Sequence, residues 1–270
     1  MKTLVLVNRK GGAGKTTVAT LLTHYFAQQG RRVLAIDFDQ QGALTRALTQ
    51  SKRLAISAGT AADLLTLTEP RIADGRCSLV PASDALLGLE PETDCHSAFA
   101  ETLRSFLGRA AARFDVCVID TSSHPDVCLV SALWAADFVL CPLPLTQEAV
   151  DVIQPMLRHD RFGIYNAMTR RKLRLRLIGL LPTMVERTPN AQGNFGQAKE
   201  YLGRLLIPLT AGKGQFAFIP RRSVIEFAQS EGAVLWELKC TAARDAWREI
   251  KPSIEHIANV VTGSQTVQTV

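Results

Sequence analysis

Asn8-Arg9-Lys10-Gly11-Gly12-Ala13-Gly14-Lys15-Thr16-Thr17 follows the apolar run Leu4-Val5-Leu6-Val7. It opens onto Val18-Ala19-Thr20-Leu21-Leu22, whose apolar residues recur at helical spacing. A buried strand, a glycine-rich loop and a helix form the arrangement that cradles nucleotide phosphates. Glycines let the backbone curl so that several N–H groups face one anion, and the helix N-terminus adds its partial positive charge. In that arrangement Lys15 reaches the β- and γ-phosphates and the Thr16 hydroxyl is a Mg²⁺ ligand. The competing interpretation is a glycine-rich turn that merely joins strand to helix.

The loop departs from the general G-x-x-x-x-G-K-[ST] pattern, because Arg9 stands where the first glycine belongs and Lys10 adds a second lysine ahead of the loop. The string K-G-G-x-G-K-T-T resembles the deviant Walker A loop of the ParA/MinD family. That resemblance implies an α/β fold with a doubly wound, mostly parallel sheet, and ATP and Mg²⁺ as ligands. It makes Lys10, Gly11, Gly12, Ala13, Gly14, Lys15, Thr16 and Thr17 the phosphate-binding residues. It also implies that Lys10 reaches across a dimer interface to the partner's nucleotide; a solvated surface lysine is the plainer alternative.

Downstream, Gln28-Gln29-Gly30-Arg31-Arg32 reads as a helix stop, and Val33-Leu34-Ala35-Ile36 as a second buried strand ending in Asp37-Phe38-Asp39-Gln40-Gln41-Gly42. A β–α–β connection of this length implies parallel strands, with the carboxylates at the ligand end of the sheet. The segment resembles the family's D-x-D-P-Q-G, which gives Asp39 the task of orienting the attacking water and leaves Gln40 in place of proline. Residues 61–65 read as a short helix and Cys77–Ser83 as a strand and turn. Residues 97–112 read as a helix with Phe99, Leu103, Phe106 and Leu107 on one face. Asp115 to Thr121 is an apolar strand ending in Asp120, as in a Walker B strand whose carboxylate holds Mg²⁺ through water; a helix-capping Asp is the alternative. Ser122-Ser123-His124-Pro125 follows where the family has a Pro-Pro pair.

Residues 131–136 and 146–157 read as helices, the latter with Thr146 as N-cap and Glu148 near its start, and Phe138–Pro142 as another buried strand. From Arg170 to Arg176 basic and apolar residues alternate, placing Lys172, Arg174 and Arg176 on one side of a strand start, a pattern that commonly guards an exposed edge. Ile178-Gly179-Leu180-Leu181-Pro182-Thr183-Met184 and Ile219-Pro220-Arg221 resemble family segments that lie beside the adenine, which implicates Met184 and Pro220. A helix from about Thr241 to Val261 closes the pattern. Arg204, Arg221, Arg222, Arg244, Arg248 and Lys251 are candidates for a DNA-facing surface.

The 270 residues carry a net charge of +6 and are 47% apolar. Residues 1–157 hold 14 Lys/Arg against 16 Asp/Glu, while residues 158–251 hold 17 against 8, so the second half suggests a polyanion-binding face. No apolar run reaches membrane-spanning length, and the start shows no signal-peptide organisation. The six cysteines lack C-x-x-C spacing, which suits reduced thiols in a cytoplasm. The sequence also lacks an N-terminal helix-turn-helix and a basic amphipathic C-terminal helix, which argues against operator binding and membrane targeting. Cys128 lacks the glycine flanks of a cluster-bridging cysteine.

The expectation is therefore one ParA-type ATPase domain over 1–270, cytoplasmic and nucleoid-associated. Its slow hydrolysis would be stimulated by a ParB-like or other cargo-adaptor protein. It would form an ATP-dependent homodimer, bind non-specific DNA in that state, and segregate a plasmid or chromosome. A positioning factor for carboxysomes or chemoreceptor clusters, and a metabolic P-loop enzyme of the same superfamily, remain the alternatives.

Overall fold

A computed structural model describes residues 1–67, 69–89, 96–146, 153–160, 163–170, 175–186, 196, 200–209 and 214–263. In chain order the strands are β1 (Lys2–Leu6), β2 (Val33–Phe38), β3 (Ala55–Ile56), β4 (Cys77–Val80), β5 (Val116–Thr121), β6 (Phe138–Pro144) and β7 (Arg176–Thr183). The helices are α1 (Lys15–Gln28), α2 (Ala43–Ser51), α3 (Asp63–Thr66), α4 (His96–Ala110), α5 (Val127–Ala135), α6 (Ile153–Arg158), α7 (Ile164–Arg170), α8 (Ser223–Ser230) and α9 (Thr241–Thr262). The strands form one seven-stranded sheet in the order β3-β4-β2-β5-β1-β6-β7, and each pair of neighbours runs parallel.

The strands are near-continuously apolar because both faces of the sheet are covered. Their period-two alternation divides the side chains between two cores. Val5, Leu34, Ile36, Cys117 and Ile119 point to the face that carries α4, α5, α6 and α7. Leu4, Leu6, Val33, Ala35, Val116 and Val118 point to the face that carries α1, α2, α8 and α9. Each buried leucine or isoleucine in these layers contributes about 1.5–3 kcal/mol.

Several boundaries differ from the sequence reading for local reasons. α5 begins at Val127 rather than 131, because Asp126 caps it, its Oδ1 accepting from Leu129 N at 2.8 Å. β6 runs through Pro142 to Pro144, past the end of its pairing with β1, where a proline costs no ladder bond on that side. Of the expected 146–157 helix only Ile153–Arg158 is described, and Glu148, Lys172 and Arg174 lie outside the described residues. β7 is the sheet edge, and Arg176 opens it with its guanidinium 4.7 Å from the centre of the Phe138 ring. Among the described cysteines, Cys117, Cys128 and Cys141 are buried, Cys77 is half-buried and Cys240 is exposed, and none of these five is in a disulfide.

Candidate functional site

The 3.6-residue pattern after Gly14 makes α1 start at Lys15, so the loop's N–H groups and the first turn of the helix converge at the C-terminal end of β1. Gly12 and Gly14 take φ of 68° and 83°, the left-handed conformation that gives a phosphate-cradling loop its curl. Two long-range bonds clamp this loop. Thr183 at the end of β7 donates from Oγ1 to Ala13 O at 2.9 Å, and Asn8 donates from Nδ2 to Pro142 O at 2.5 Å. Asn8 Oδ1 in turn accepts from Lys10 N at 2.7 Å.

Lys15 is 6% exposed, and its Nζ donates to Asn8 O at 3.1 Å and to Ser123 Oγ at 3.0 Å. Burial lowers its pKa, opposed by the negative charges of Asp120 and Asp39. Thr16 Oγ1 donates to Asp120 Oδ2 at 2.6 Å. Asp120 is fully buried, and its other oxygen, Oδ1, has no hydrogen-bond partner. Burial first, and Asp37 beside it in register across β2 and β5, push its pKa up to about 7. An orphaned carboxylate oxygen next to a hydroxyl at the loop is a hard oxygen donor set, and these residues fit Mg²⁺. Thr16 and Asp120 would hold the ion, directly or through water, and it would neutralise charge on bound phosphates.

The β2–α2 turn carries Asp39. Asp37 is fully buried; Oδ2 accepts from Thr45 N and Thr45 Oγ1, both at 2.7 Å, and Oδ1 accepts from Asp39 N at 3.1 Å. These bonds fix the turn and leave Asp39 half-buried, with Oδ1 accepting from Gln41 N at 2.9 Å. Asp39 opens onto a cleft of about 700 Å³ beside the loop, lined also by Arg9, Gly11, Leu87, Ser123 and Cys128.

Other expected residues fall at the margins. Thr17 Oγ1 donates to Gln229 Oε1 of α8 at 2.7 Å. Lys10 Nζ lies 3.0 Å from Thr146 Oγ1 of its own chain. Met184 is exposed with φ of 53°, a left-handed conformation uncommon for such a side chain. Pro220 sits beside it, because Val185 N donates to Ile219 O at 3.1 Å and Arg221 N to Val185 O at 3.0 Å. Ser253 of α9 anchors this segment by bonding both the N–H and the C=O of Phe218, at 2.9 and 3.0 Å.

The basic residues divide. Arg244, Arg248 and Lys251 are exposed on α9, and Arg204 is exposed on the segment that bridges the β7 edge. Carboxylates accompany most of them: Arg221 pairs with Glu186 at 2.8 Å, Arg222 with Glu249 at 2.7 Å, Arg248 with Asp245 at 2.9 Å and Lys251 with Glu255 at 3.5 Å. Arg222 is the most enclosed of these, and its charge is spent inside the α8–α9 contact.

Asn8, Ser123 and Thr183 also shape the site, although the sequence reading assigns none of them a role in it. Thr183 and Ser123 act through contacts across 170 and 108 residues, which leave no local pattern. Asp37 was legible as the first carboxylate of the strand end.

The AAA_31 family, described as an AAA domain, matches residues 1–170. The chain is 30% identical over 275 residues to Protein IncC of Escherichia coli, covering 98% of this chain and 71% of that one. It is 31% identical over 209 residues to the chromosome-partitioning ATPase Soj of Thermus thermophilus, covering 75% and 78%. The solved structure of apo McdA from Cyanothece has the same fold, with a TM-score of 0.75 at 24% identity over 95% of this chain and 99% of that one.

Proposed function

The chain belongs to the ParA-type P-loop ATPases of the AAA_31 family, and from that premise we propose that residues 1–270 act as one partition or positioning ATPase. It binds ATP with Mg²⁺, dimerises in that state, grips DNA without sequence preference, and releases it on hydrolysis. The observation that carries the reading is the loop itself. Buried Lys15 at the loop's end holds its Nζ on Asn8 O and Ser123 Oγ, the Thr16–Asp120 pair has one carboxylate oxygen without a partner, and Asp39 lines the adjoining cleft.

In this reading Lys15 stabilises charge on the terminal phosphoryl group, the loop N–H groups orient it, and Asp39 positions the water. Lys10 leaves Thr146 and enters the site of a second copy. Joining two subunits doubles the phosphate contacts made by Arg204, Arg221, Arg244, Arg248 and Lys251, which changes DNA affinity by orders of magnitude. The cargo is a plasmid or chromosome held through a ParB-like adaptor that speeds the slow turnover, and the complex resides on the nucleoid. Among the described residues no helix is long and apolar enough to cross a membrane.

Light scattering with ATP and Mg²⁺ tests this reading. The parent chain should dimerise with ATP only, Lys15→Ala should bind no nucleotide, and Lys10→Ala should bind ATP and stay monomeric. A normal ATP-dependent dimer of Lys10→Ala would remove Lys10 from the interface. A protein cargo is the second reading, supported by 30% identity over 156 residues to the Maintenance of carboxysome distribution protein A of Synechococcus elongatus. The 700 Å³ cleft is the feature that a metabolic enzyme would use for a second substrate; such an enzyme would ignore DNA.

A further inference from the structure

Ser123 is a position at which this chain adds a functional group to the site. Ser122 and Ser123 stand where the resembled family carries two prolines, and proline offers neither an N–H nor a hydroxyl. The two serines have different tasks. Ser122 Oγ is taken up by the turn: it lies 2.8 Å from Asp126 Oδ2 and 3.1 Å from His124 O, and accepts from His124 N at 3.2 Å. Asp126 in turn caps α5. This network does what a proline pair does, which is to stiffen the segment after Asp120.

Ser123 lines, together with Ser122, the cleft that Asp39 and Gly11 also border, but its Oγ is bonded to Lys15 rather than to the turn. Its Oγ is 3.0 Å from Lys15 Nζ, and a Cβ built on Gly11 would lie 3.9 Å from it. An ammonium has donors only, so Ser123 Oγ is the acceptor in that bond and its own proton remains for another acceptor. The lysine nitrogen beside it is the group that meets the β- and γ-phosphates. A second acceptor within reach of both Ser123 and Lys15 is therefore a γ-phosphoryl oxygen.

We propose that Ser123 is a catalytic residue of the ATPase reaction, its hydroxyl donating to a γ-phosphoryl oxygen while Lys15 holds the same group. The inference rests on the ATPase reading above. In the step itself, the water oxygen bonds to the γ-phosphorus as the bond to the β,γ-bridging oxygen breaks, and that electron pair leaves on ADP. The proton of the water passes to a phosphoryl oxygen, and Ser123 keeps its own. The hydroxyl contributes as a donor aimed at oxygens that gain charge between ground and transition state.

Ser123→Ala and Ser123→Thr test the assignment on the full chain, beside the parent protein and with duplex DNA present. Steady-state hydrolysis, ATP affinity, affinity for ADP with aluminium fluoride, and melting temperature are measured together. Ser123→Ala should lower kcat about tenfold or more and weaken ADP–aluminium fluoride binding to a similar degree, with ATP affinity changed less than about twofold. Ser123→Thr keeps the hydroxyl and should stay within about threefold of the parent. Unchanged kcat and unchanged aluminium fluoride affinity in Ser123→Ala would overturn the proposal. So would a Thr variant as slow as the Ala variant at equal melting temperature, or an equal loss of ATP and aluminium fluoride affinity at unchanged kcat. A parent protein that hydrolyses no ATP would overturn the ATPase reading itself, whereas an active parent beside an unaffected Ser123→Ala removes only Ser123.

Discussion

Replacing His24 by Gln isolates a pH dependence built into α1. His24 is 5% exposed and its Nε2 has no hydrogen-bond partner. Burial, aided by the positive charge of Arg53 and opposed by Glu237, pushes its pKa from 6.5 down to about 4. Above the unfolded value of 6.5 both states hold the imidazole neutral, and His24 takes nothing from stability. As the pH falls from there toward about 4, the unfolded chain takes up a proton that the folded one refuses, and stability is lost. At about pH 5 the loss is about 2 kcal/mol, taken from ~1.36 kcal/mol for each of the roughly 1.5 units between that pH and the unfolded pKa. For a chain of this length that is about 4 °C in Tm. Urea unfolding followed by circular dichroism, at about pH 7.5 and about pH 5, reads it directly. The parent should lose about 2 kcal/mol more than His24→Gln between the two conditions, since carboxylate effects common to both proteins cancel. Equal losses in the two proteins would refute the buried neutral imidazole.

Gly179→Ala should destabilise the fold by about 2–4 kcal/mol in thermal melts, because its φ is 145° and a Cβ would lie 2.7 Å from Leu205 O; an unchanged Tm would mean that the segment around Leu205 yields freely. Arg32→Ala should lower the melting temperature only slightly near neutral pH, since solvent reaches and screens the Arg32–Asp115 pair. Arg32 holds the Asp115 carboxyl at about 2, below its usual 3.8, so that contribution is present above 3.8 and fades as the pH falls through about 2. A parent–variant gap that persists below that range would show that packing, not charge, sets it. Asp39→Ala should bind ATP and DNA yet hydrolyse slowly and accumulate as dimer; parent-like turnover would remove Asp39 from the mechanism.

The layers of this fold were legible where chemistry is local. Four apolar residues ending in Asp120, or ending in Asp37 and Asp39, can only be buried strands whose carboxylates emerge at the ligand end. The glycines at 11, 12 and 14 mark the loop that leads from β1 into α1. What was not legible is held together by contacts distant in sequence. Asn8 on Pro142, Thr183 on Ala13 and Thr17 on Gln229 span 134, 170 and 212 residues, and no periodicity encodes them. The start of α5 was missed because its signal is a single capping aspartate after Pro125. The basic second half was read by counting charges, and counting does not show pairing. Glu186, Asp245, Glu249 and Glu255 each sit on a cation that the sequence offers as DNA-facing, and Arg222 in particular is bound into the α8–α9 contact.

The most direct test of the account is binding of the purified chain to random-sequence duplex DNA with ATP, with ADP and without nucleotide, at two salt concentrations. Tight binding is expected with ATP alone, weakening steeply as salt rises because the contacts are to phosphates. Binding that ignores the nucleotide, or no binding in any state, would contradict it by severing the loop at Lys15 from the basic face on α9.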